Sequence, residues 1–314
     1  MTSSVAVVVN PTKIDLDDVR EVLQEEAAAA GVEDLRLLET TEDDPGFGQT
    51  REAIEAGAHL VCALGGDGTV RAVAQALVGA DAALGLLPGG TGNLLARNIG
   101  IPLDDLRRAF RVALTGQARA IDVGWLVVEP TPAQQEQTPP SPADNVHCFV
   151  VMAGLGFDAQ MMDDAPEALK DKAGWAAYIA SAGQHLGDDG FGLTLGLDGE
   201  TSTYEAARTV VVGNCGELQA GMVLLPDAQI DDGLLDVAVL TPKSLGGWLA
   251  VAARVLTRSG DGPSVQRQRG RDVTLQVVPA QPCEVDGDVL GEASSVRLVI
   301  QPGCLVVRVP VPAG

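Results

Sequence analysis

Residues 64–69, LGGDGT, follow the apolar run AHLVCA (58–63) and precede VRAVA (70–74), so they join a predicted strand to a predicted helix. Gly65, Gly66 and Gly68 allow positive φ and let backbone N–H groups approach a ligand. Thr69 opens the helix, whose first amides are unpaired and carry partial positive charge. A turn of this kind binds phosphate without a lysine. Asp67 would then either serve a Mg²⁺ network, directly or through water, or cap the helix.

A second glycine-rich stretch, LLPGGTGNLLARN at 86–98, follows the next predicted strand. Gly90 adds flexible backbone, and Thr91 and Asn93 add hydrogen-bonding side chains. Loops at the carboxyl ends of neighbouring parallel strands form the crevice where open α/β sheets bind ligands. Two such loops in succession therefore favour a nucleotide site over two structural turns.

The pattern around these loops predicts two domains. Strand-like runs alternate with helical patterns over residues 1–118, which predicts a doubly wound α/β domain. After Arg119, strand-like runs dominate, and residues 119–314 are predicted to form a mainly antiparallel β-domain. A Pro- and Gln-rich stretch within 129–145 is expected to be a surface hairpin insertion or a disordered loop. Whether the last strand returns to pair with the sheet of the first domain is left open.

Composition limits the classes of function. The 314 residues carry a formal net charge of −22, which argues against unassisted binding to nucleic acid. No apolar run approaches the roughly 18 residues of a membrane-spanning helix. Five cysteines without a CxxC pair are typical of reduced, buried thiols and favour a cytoplasmic location. An anionic substrate must then be held by local cations, backbone amides or a metal.

In order and spacing, six motifs resemble the soluble diacylglycerol and lipid kinase family, which includes sphingosine and ceramide kinases. The resemblance spans nearly the whole chain. It implies a phosphofructokinase-like α/β domain joined to an antiparallel β-sandwich domain, with ATP and lipid meeting in the cleft between them. The matching motifs are VVVNPT (7–12), GGDGT (65–69), PGGTGN (88–93), GLGFDA (154–159), DDGLLDV (231–237) and VDGD (285–288).

The resemblance also implies residue roles. Asp286 would be the general base that accepts the proton of the lipid hydroxyl. A structural Mg²⁺ would be bound by the Asp232 carboxylate and by main-chain carbonyls near Gln229 and Leu234, and Asp288 would belong to the metal network. The residues expected to contact ATP are Asn10, Thr40 or Thr41, Gly65, Gly66, Asp67, Gly68, Thr69, Gly90, Thr91 and Asn93.

Several positions depart from the family pattern. Lys13 stands in the loop after the first strand, where the family has a Ser-Gly pair. Arg71 and Ala72 replace the Asn-Glu that follows GGDGTx in the family, and Leu94 replaces the Asp of GTxND. Asp288 replaces a glutamate and has a shorter reach. These changes leave the candidate base in place, but they bear on the accepted headgroup and on the metal network.

We therefore predict an ATP- and Mg²⁺-dependent lipid kinase of phospholipid metabolism that converts diacylglycerol to phosphatidic acid. It would be cytoplasmic and would contact its lipid peripherally, at the inner face of the membrane. Three alternatives stay open: a kinase for sphingoid bases or other lipids, a NAD kinase-like enzyme with a soluble substrate, and a non-catalytic nucleotide- or lipid-binding regulator. A homodimer is also left open.

Overall fold

A computed structural model describes residues 4–12, 14–156, 190–218, 222–257 and 261–311. Lys13 and the end of the GLGFDA motif, 157–159, lie outside these ranges. The chain divides into two units, Met1–Val123 with Pro302–Gly314 and Gly124–Gln301. The division that was expected after residue 118 lies instead after Val123, and the chain's last strand ends in the first unit.

The first unit contains a parallel sheet, which confirms the predicted doubly wound α/β domain. Its strands lie in the order β14, β4, β3, β1, β2, where β14 contributes its carboxyl-terminal part. A short helix, α4, was not predicted. The elements are β1 (Ser4–Val9), α1 (Leu16–Ala29), β2 (Asp34–Glu39), α2 (Phe47–Glu55), β3 (Leu60–Gly65), α3 (Asp67–Leu77), β4 (Ala83–Pro88), α4 (Leu94–Asn98), α5 (Leu106–Thr115) and the end of β14 (Asp288–Val309).

Helices cover both faces of this sheet. On one face, Val8 of β1 lies next to Val73 of α3, and α2 packs on α3. Val8 pairs with Ala63 of β3, so the preceding residue, Cys62, points to the other face. There Cys62 lies close to Ala113 of α5, and α5 packs on α1. The completely buried strands β1 and β3 are thus covered on both sides, as expected for a parallel sheet.

An ion-pair cluster joins α1 to α5. The buried Glu26 carboxylate accepts hydrogen bonds from Arg111 Nε at 2.5 Å and from Arg107 Nη1 at 2.8 Å. The Arg111 hydrogen bond is the main cause that lowers the pKa of Glu26 to about 2. The charge of Glu26 is therefore retained on folding.

The second unit is built from antiparallel strands, which confirms the predicted β-sandwich domain. One run of strands is β12–β11–β10–β7–β13, and another is β9–β8–β13. Strand β13 joins both runs, because it pairs with β8 over 273–278 and with β7 over 283–285. The elements are β5 (Gln117–Val128, entering from the first unit), β6 (Val146–Phe149), β7 (Met152–Leu155), β8 (Phe191–Leu197), β9 (Glu200–Ala207), β10 (Thr209–Gly213), β11 (Leu235–Leu240), α6 (Leu245–Thr257), β12 (Val265–Gly270), β13 (Asp272–Val285) and β14.

The Pro- and Gln-rich insertion, expected to be a hairpin insertion or a disordered loop, is held by the buried Arg297. Arg297 donates from Nη1 to the carbonyl oxygens of Gln134 and Gln137, both at 2.7 Å, and from Nη2 to the hydroxyl of Thr138. It also pairs with Asp272 at 2.6 Å. The insertion is therefore a loop anchored to β13 and β14, and it connects the paired antiparallel strands β5 and β6. Among the described residues, no helix has both the length and the apolar character that crossing a bilayer requires.

Candidate functional site

The predicted nucleotide-binding residues of the first unit follow the carboxyl ends of its strands. Asn10 follows β1, Thr40 follows β2, Gly65 ends β3, and Gly90 lies just after β4. Because these strands are parallel, their carboxyl ends share one edge of the sheet. Backbone hydrogen bonds tie this edge together: Asn10 N–H to Leu64 O (3.1 Å), Thr40 N–H to Val9 O (2.9 Å) and Gly89 N–H to Gly65 O (3.0 Å).

The two glycine-rich loops touch each other through their backbones. A Cβ atom added to Gly90 would lie 2.6 Å from the Cα of Gly66, a contact that no side-chain motion could relieve. A Cβ on Gly65 would lie 2.7 Å from the Oγ1 of the buried Thr69. Glycine at position 90 therefore permits the close approach of the two loops, and glycine at position 65 leaves room for the Thr69 side chain within the first loop.

Two polar side chains hold the second loop in shape. Asp67 Oδ1 accepts the Leu94 N–H at 2.7 Å, so Asp67 caps the neighbouring helix α4. Asn93 adopts a positive φ of 48° and binds Gly90 through both ends of its amide, accepting at 3.2 Å and donating at 2.7 Å. Two roles were predicted for Asp67, a helix cap and a part in a Mg²⁺ network. The structure shows a cap, but on α4, and the Mg²⁺ role stays a prediction.

The remaining predicted contacts differ in exposure. Thr91 is exposed at the tip of the second loop, whereas Thr40 is buried. Asn10 Oδ1 accepts hydrogen bonds from the backbone and side chain of Thr12, which shapes the loop after β1. An open depression of about 460 Å³ is lined by Pro11, Thr12, Ile14, Asp15 and Leu16. Close-packed loop backbone beside the first amides of α3 is suited to binding an anion.

The candidate base in the second unit lies in a tight hairpin. Strands β13 and β14 are joined by Asp286 and Gly287, with positive φ values of 45° and 90°, a combination typical of a type I′ turn. An aspartate in an ordinary turn would face solvent, but Asp286 is only 4% exposed. Its carboxylate accepts the N–H groups of Val150 at 2.9 Å, Val151 at 3.0 Å and Met152 at 2.9 Å.

These contacts determine what Asp286 can do. Three backbone donors stabilise the ionised carboxylate. Oδ1 accepts the N–H groups of Val151 and Met152, and Oδ2 accepts that of Val150, so both carboxylate oxygens are held in a fixed orientation. A buried, ionised and oriented carboxylate is suited to general-base chemistry. Its catalytic role stays a prediction.

A second buried acid, Glu284, was missed by the sequence analysis. It is 6% exposed and lies two residues before Asp286. Burial, together with the charge of Asp286, raises the pKa of Glu284 to about 8. The available signal was a glutamate between Cys283 and Val285 in a strand-like run. The burial that changes its chemistry arises from tertiary packing.

The predicted metal ligand Asp232 already has hydrogen-bond donors at both carboxylate oxygens. Asp232 Oδ1 accepts the Leu234 N–H at 3.1 Å, and Oδ2 is bonded to the Arg269 guanidinium. Asp288 is exposed at the start of β14. The described ranges contain no group of three or more His, Cys, Asp or Glu residues that could hold a metal ion. Asp232 supplies the one carboxylate of the ligand set expected with Gln229 and Leu234, and it is already paired with the cationic Arg269. The sequence analysis did not identify Arg269, which lies in the stretch RQRGR (267–271).

Comparisons with known proteins match each unit to a family. Residues 4–126 match the diacylglycerol kinase catalytic domain, and residues 150–309 match the YegS C-terminal NAD kinase β-sandwich-like domain. A Pseudomonas aeruginosa (strain UCBPP-PA14) protein named "Probable lipid kinase YegS-like" is 35% identical over 292 residues, which cover 90% of this chain and 86% of the relative. A Cronobacter sakazakii protein of the same name is 30% identical over 267 residues, with coverages of 82% and 81%.

A solved structure supports the fold. The crystal structure of a diacylglycerol kinase from Bacillus anthracis strain Sterne matches with a TM-score of 0.72 and 19% sequence identity. The match covers 98% of this chain and 97% of that chain. The two proteins therefore share both the α/β and the β-sandwich architecture.

Proposed function

Because the chain belongs to the lipid kinase family in which a diacylglycerol kinase catalytic domain precedes a YegS-type β-sandwich-like domain, we propose that it transfers the γ-phosphate of ATP to a lipid hydroxyl. Diacylglycerol is the proposed first substrate, since the family of the first unit is named for it. The observation that carries the proposal is the backbone contact between Gly66 and Gly90 at the carboxyl edge of the parallel sheet.

In the proposed mechanism, the first unit binds and orients ATP. The N–H groups of the 65–69 loop and the amino-terminal end of α3 would hold the phosphates. Asp67 and Asn93 would keep the two loops in register through their bonds to Leu94 and Gly90. Asn10, Thr40 or Thr41, and Thr91 would supply further polar contacts. When bound with ATP, Mg²⁺ neutralises charge on the phosphates.

The second unit would supply the base. As the lipid hydroxyl loses its proton to the Asp286 carboxylate, its oxygen forms a bond to the γ-phosphorus. The bond from that phosphorus to the β–γ bridging oxygen breaks, and ADP leaves with the electron pair. Asp286 would be ready for this step because three N–H groups fix its orientation and its charge. No step is assigned to the Asp232 loop.

The proposal is tested by transfer of radiolabelled phosphate from ATP to detergent-dispersed lipids. The panel includes diacylglycerol, a sphingoid base and ceramide, with NAD and fructose 6-phosphate as soluble acceptors, each with Mg²⁺ and with chelator. We expect a Mg²⁺-dependent labelled lipid, strongest with diacylglycerol. Label in NAD alone would identify a soluble-substrate kinase, and ATP binding without any labelled product would indicate a regulator.

The same assay tests the base. We expect Asp286→Asn to lower the rate of lipid phosphorylation by about 10²-fold or more while ATP binding survives. Since the asparagine NH₂ cannot accept an N–H, the unfolding temperature must be measured alongside. Asp144→Asn, an exposed change in the insertion, is the matched control. An active Asp286→Asn enzyme would remove the base assignment and leave the kinase assignment in place.

A further inference from the structure

The loop before β11 differs from what the family resemblance implies. There, the Asp232 carboxylate would bind a structural Mg²⁺ together with carbonyl oxygens near Gln229 and Leu234. In the structure, both carboxylate oxygens are bonded to N–H donors: Oδ1 to the Leu234 backbone at 3.1 Å, and Oδ2 to Arg269. The Asp232 side chain is 19% exposed and that of Arg269 is 34% exposed, so the contact is half-buried.

The position of Arg269 follows from strand register and not from a chance side-chain contact. Strand β12 pairs with β11 from Leu235–Gly270 to Leu240–Val265, which sets Arg269 directly opposite Asp236. Arg269 Nε lies 3.2 Å from the Asp236 carboxylate. Directly opposite residues of antiparallel strands have side chains close enough to pair. The backbone therefore delivers the guanidinium to this site.

The Arg269 guanidinium bridges Asp232 and Asp236 and compensates their negative charge. Asp236 is 6% exposed, and Asp232 lies at the end of the loop that leads into the same strand. Arg269 contacts Asp236 through Nε and Asp232 through Nη2, so one planar group joins the loop to the sheet. A fork of this geometry is suited to carboxylates and stays charged at every physiological pH.

We propose that the Arg269 guanidinium takes the place of the structural cation at the Asp232 loop, so that the second unit needs no bound Mg²⁺ to keep its fold. A divalent ion and a guanidinium would have the same two effects on this loop. Each compensates the Asp232 charge and fixes the loop before β11. The proposal concerns folding, and it is independent of the Mg²⁺ that accompanies ATP.

The test is thermal unfolding without ATP or lipid, so it does not depend on the proposed activity. The wild type, Arg269→Gln and Arg271→Gln are compared in chelator and in millimolar Mg²⁺. Arg271, exposed just after β12, is the matched control. We expect the wild-type unfolding temperature to be the same in both buffers. Arg269→Gln should unfold about 4–8 °C lower in chelator, and Mg²⁺ should restore part of that loss because two carboxylates are released to bind it.

Three results would overturn the proposal. The first is a lower unfolding temperature of the wild type in chelator than in Mg²⁺. The second is an Arg269→Gln protein that unfolds at the same temperature as Arg271→Gln. The third is a lowered unfolding temperature of Arg269→Gln that Mg²⁺ does not raise, which would indicate an ion pair without a cation-replacing role. If Arg269→Gln does not fold, nucleotide-free Mn²⁺ titration decides. We expect the wild type and Asp232→Asn to bind Mn²⁺ equally, and a wild-type site that Asp232→Asn abolishes would contradict the proposal.

Discussion

At the residue scale, two buried acids that are two positions apart, Glu284 in β13 and Asp286 in the turn after it, differ in their chemistry. Asp286 is buried, and three backbone N–H groups stabilise its charge. Glu284 is equally buried, and its pKa is raised to about 8, first by burial and then by the charge of Asp286. At neutral pH, Glu284 therefore holds its proton.

This difference predicts a pH-dependent gain in stability for Glu284→Gln. Between its ordinary pKa of 4.5 and the folded value of about 8, Glu284 ionises in the unfolded chain but not in the folded one. Its cost to folding is absent below pH 4.5, grows through this window and is greatest above pH 8. Removing the carboxyl group should raise the free energy of unfolding at pH 8, relative to pH 4.5, by on the order of 3 kcal/mol.

The measurement is denaturant unfolding of the wild type and the variant at both pH values. Any cost of burying the amide is the same at each pH and cancels in the difference. Glu292→Gln, at an exposed position of β14, is the control and should show no such trend. A Glu284→Gln effect that is equal at both pH values would show that Glu284 ionises normally in the folded protein.

At the scale of elements, the carboxyl edge of the parallel sheet depends on contact between its two glycine-rich loops. Gly89 N–H binds Gly65 O, and the Cα of Gly66 lies where a Gly90 side chain would begin. Asp67, which follows β3, caps the helix that follows β4. Each strand–loop–helix element therefore shapes the next, and the geometry of both loops is set together.

Gly90→Ala should separate the loops and weaken ATP binding. Because the added Cβ would meet backbone at 2.6 Å, the second loop must move. We expect the KM for ATP, or the dissociation constant of a fluorescent ATP analogue, to rise about tenfold, equivalent to about 1.4 kcal/mol. Gly192→Ala is the control, since its Cβ would have no neighbour nearer than 3.7 Å. Unchanged ATP affinity in Gly90→Ala would show that the loops do not bind the phosphates.

At the scale of the whole molecule, local patterns predicted most elements, and long-range contacts explain what they missed. Strand β3 and helix α3 were predictable because an apolar run ends at a glycine turn. The anchoring of the insertion was not, because Arg297 binds carbonyl oxygens that carry no sequence signal. Asp286 was recognisable from its motif. The raised pKa of Glu284 and the Asp232–Arg269 pair depend on burial and on strand register, which one sequence does not reveal.

The net charge of −22 makes a prediction about the whole chain at a lipid surface. An acidic protein is repelled by an anionic bilayer, and salt screens that repulsion. Raising the ionic strength from about 0.01 M to about 0.15 M shortens the screening length from about 30 Å to about 8 Å. We expect the initial rate of diacylglycerol phosphorylation in anionic vesicles to rise several-fold over this range at constant Mg²⁺. Zwitterionic vesicles with the same diacylglycerol content are the control and should show little change. The zwitterionic vesicles also show whether the enzyme phosphorylates diacylglycerol when the membrane carries no net charge. A rate that falls with salt on anionic vesicles would show that a local basic surface outweighs the net charge in docking.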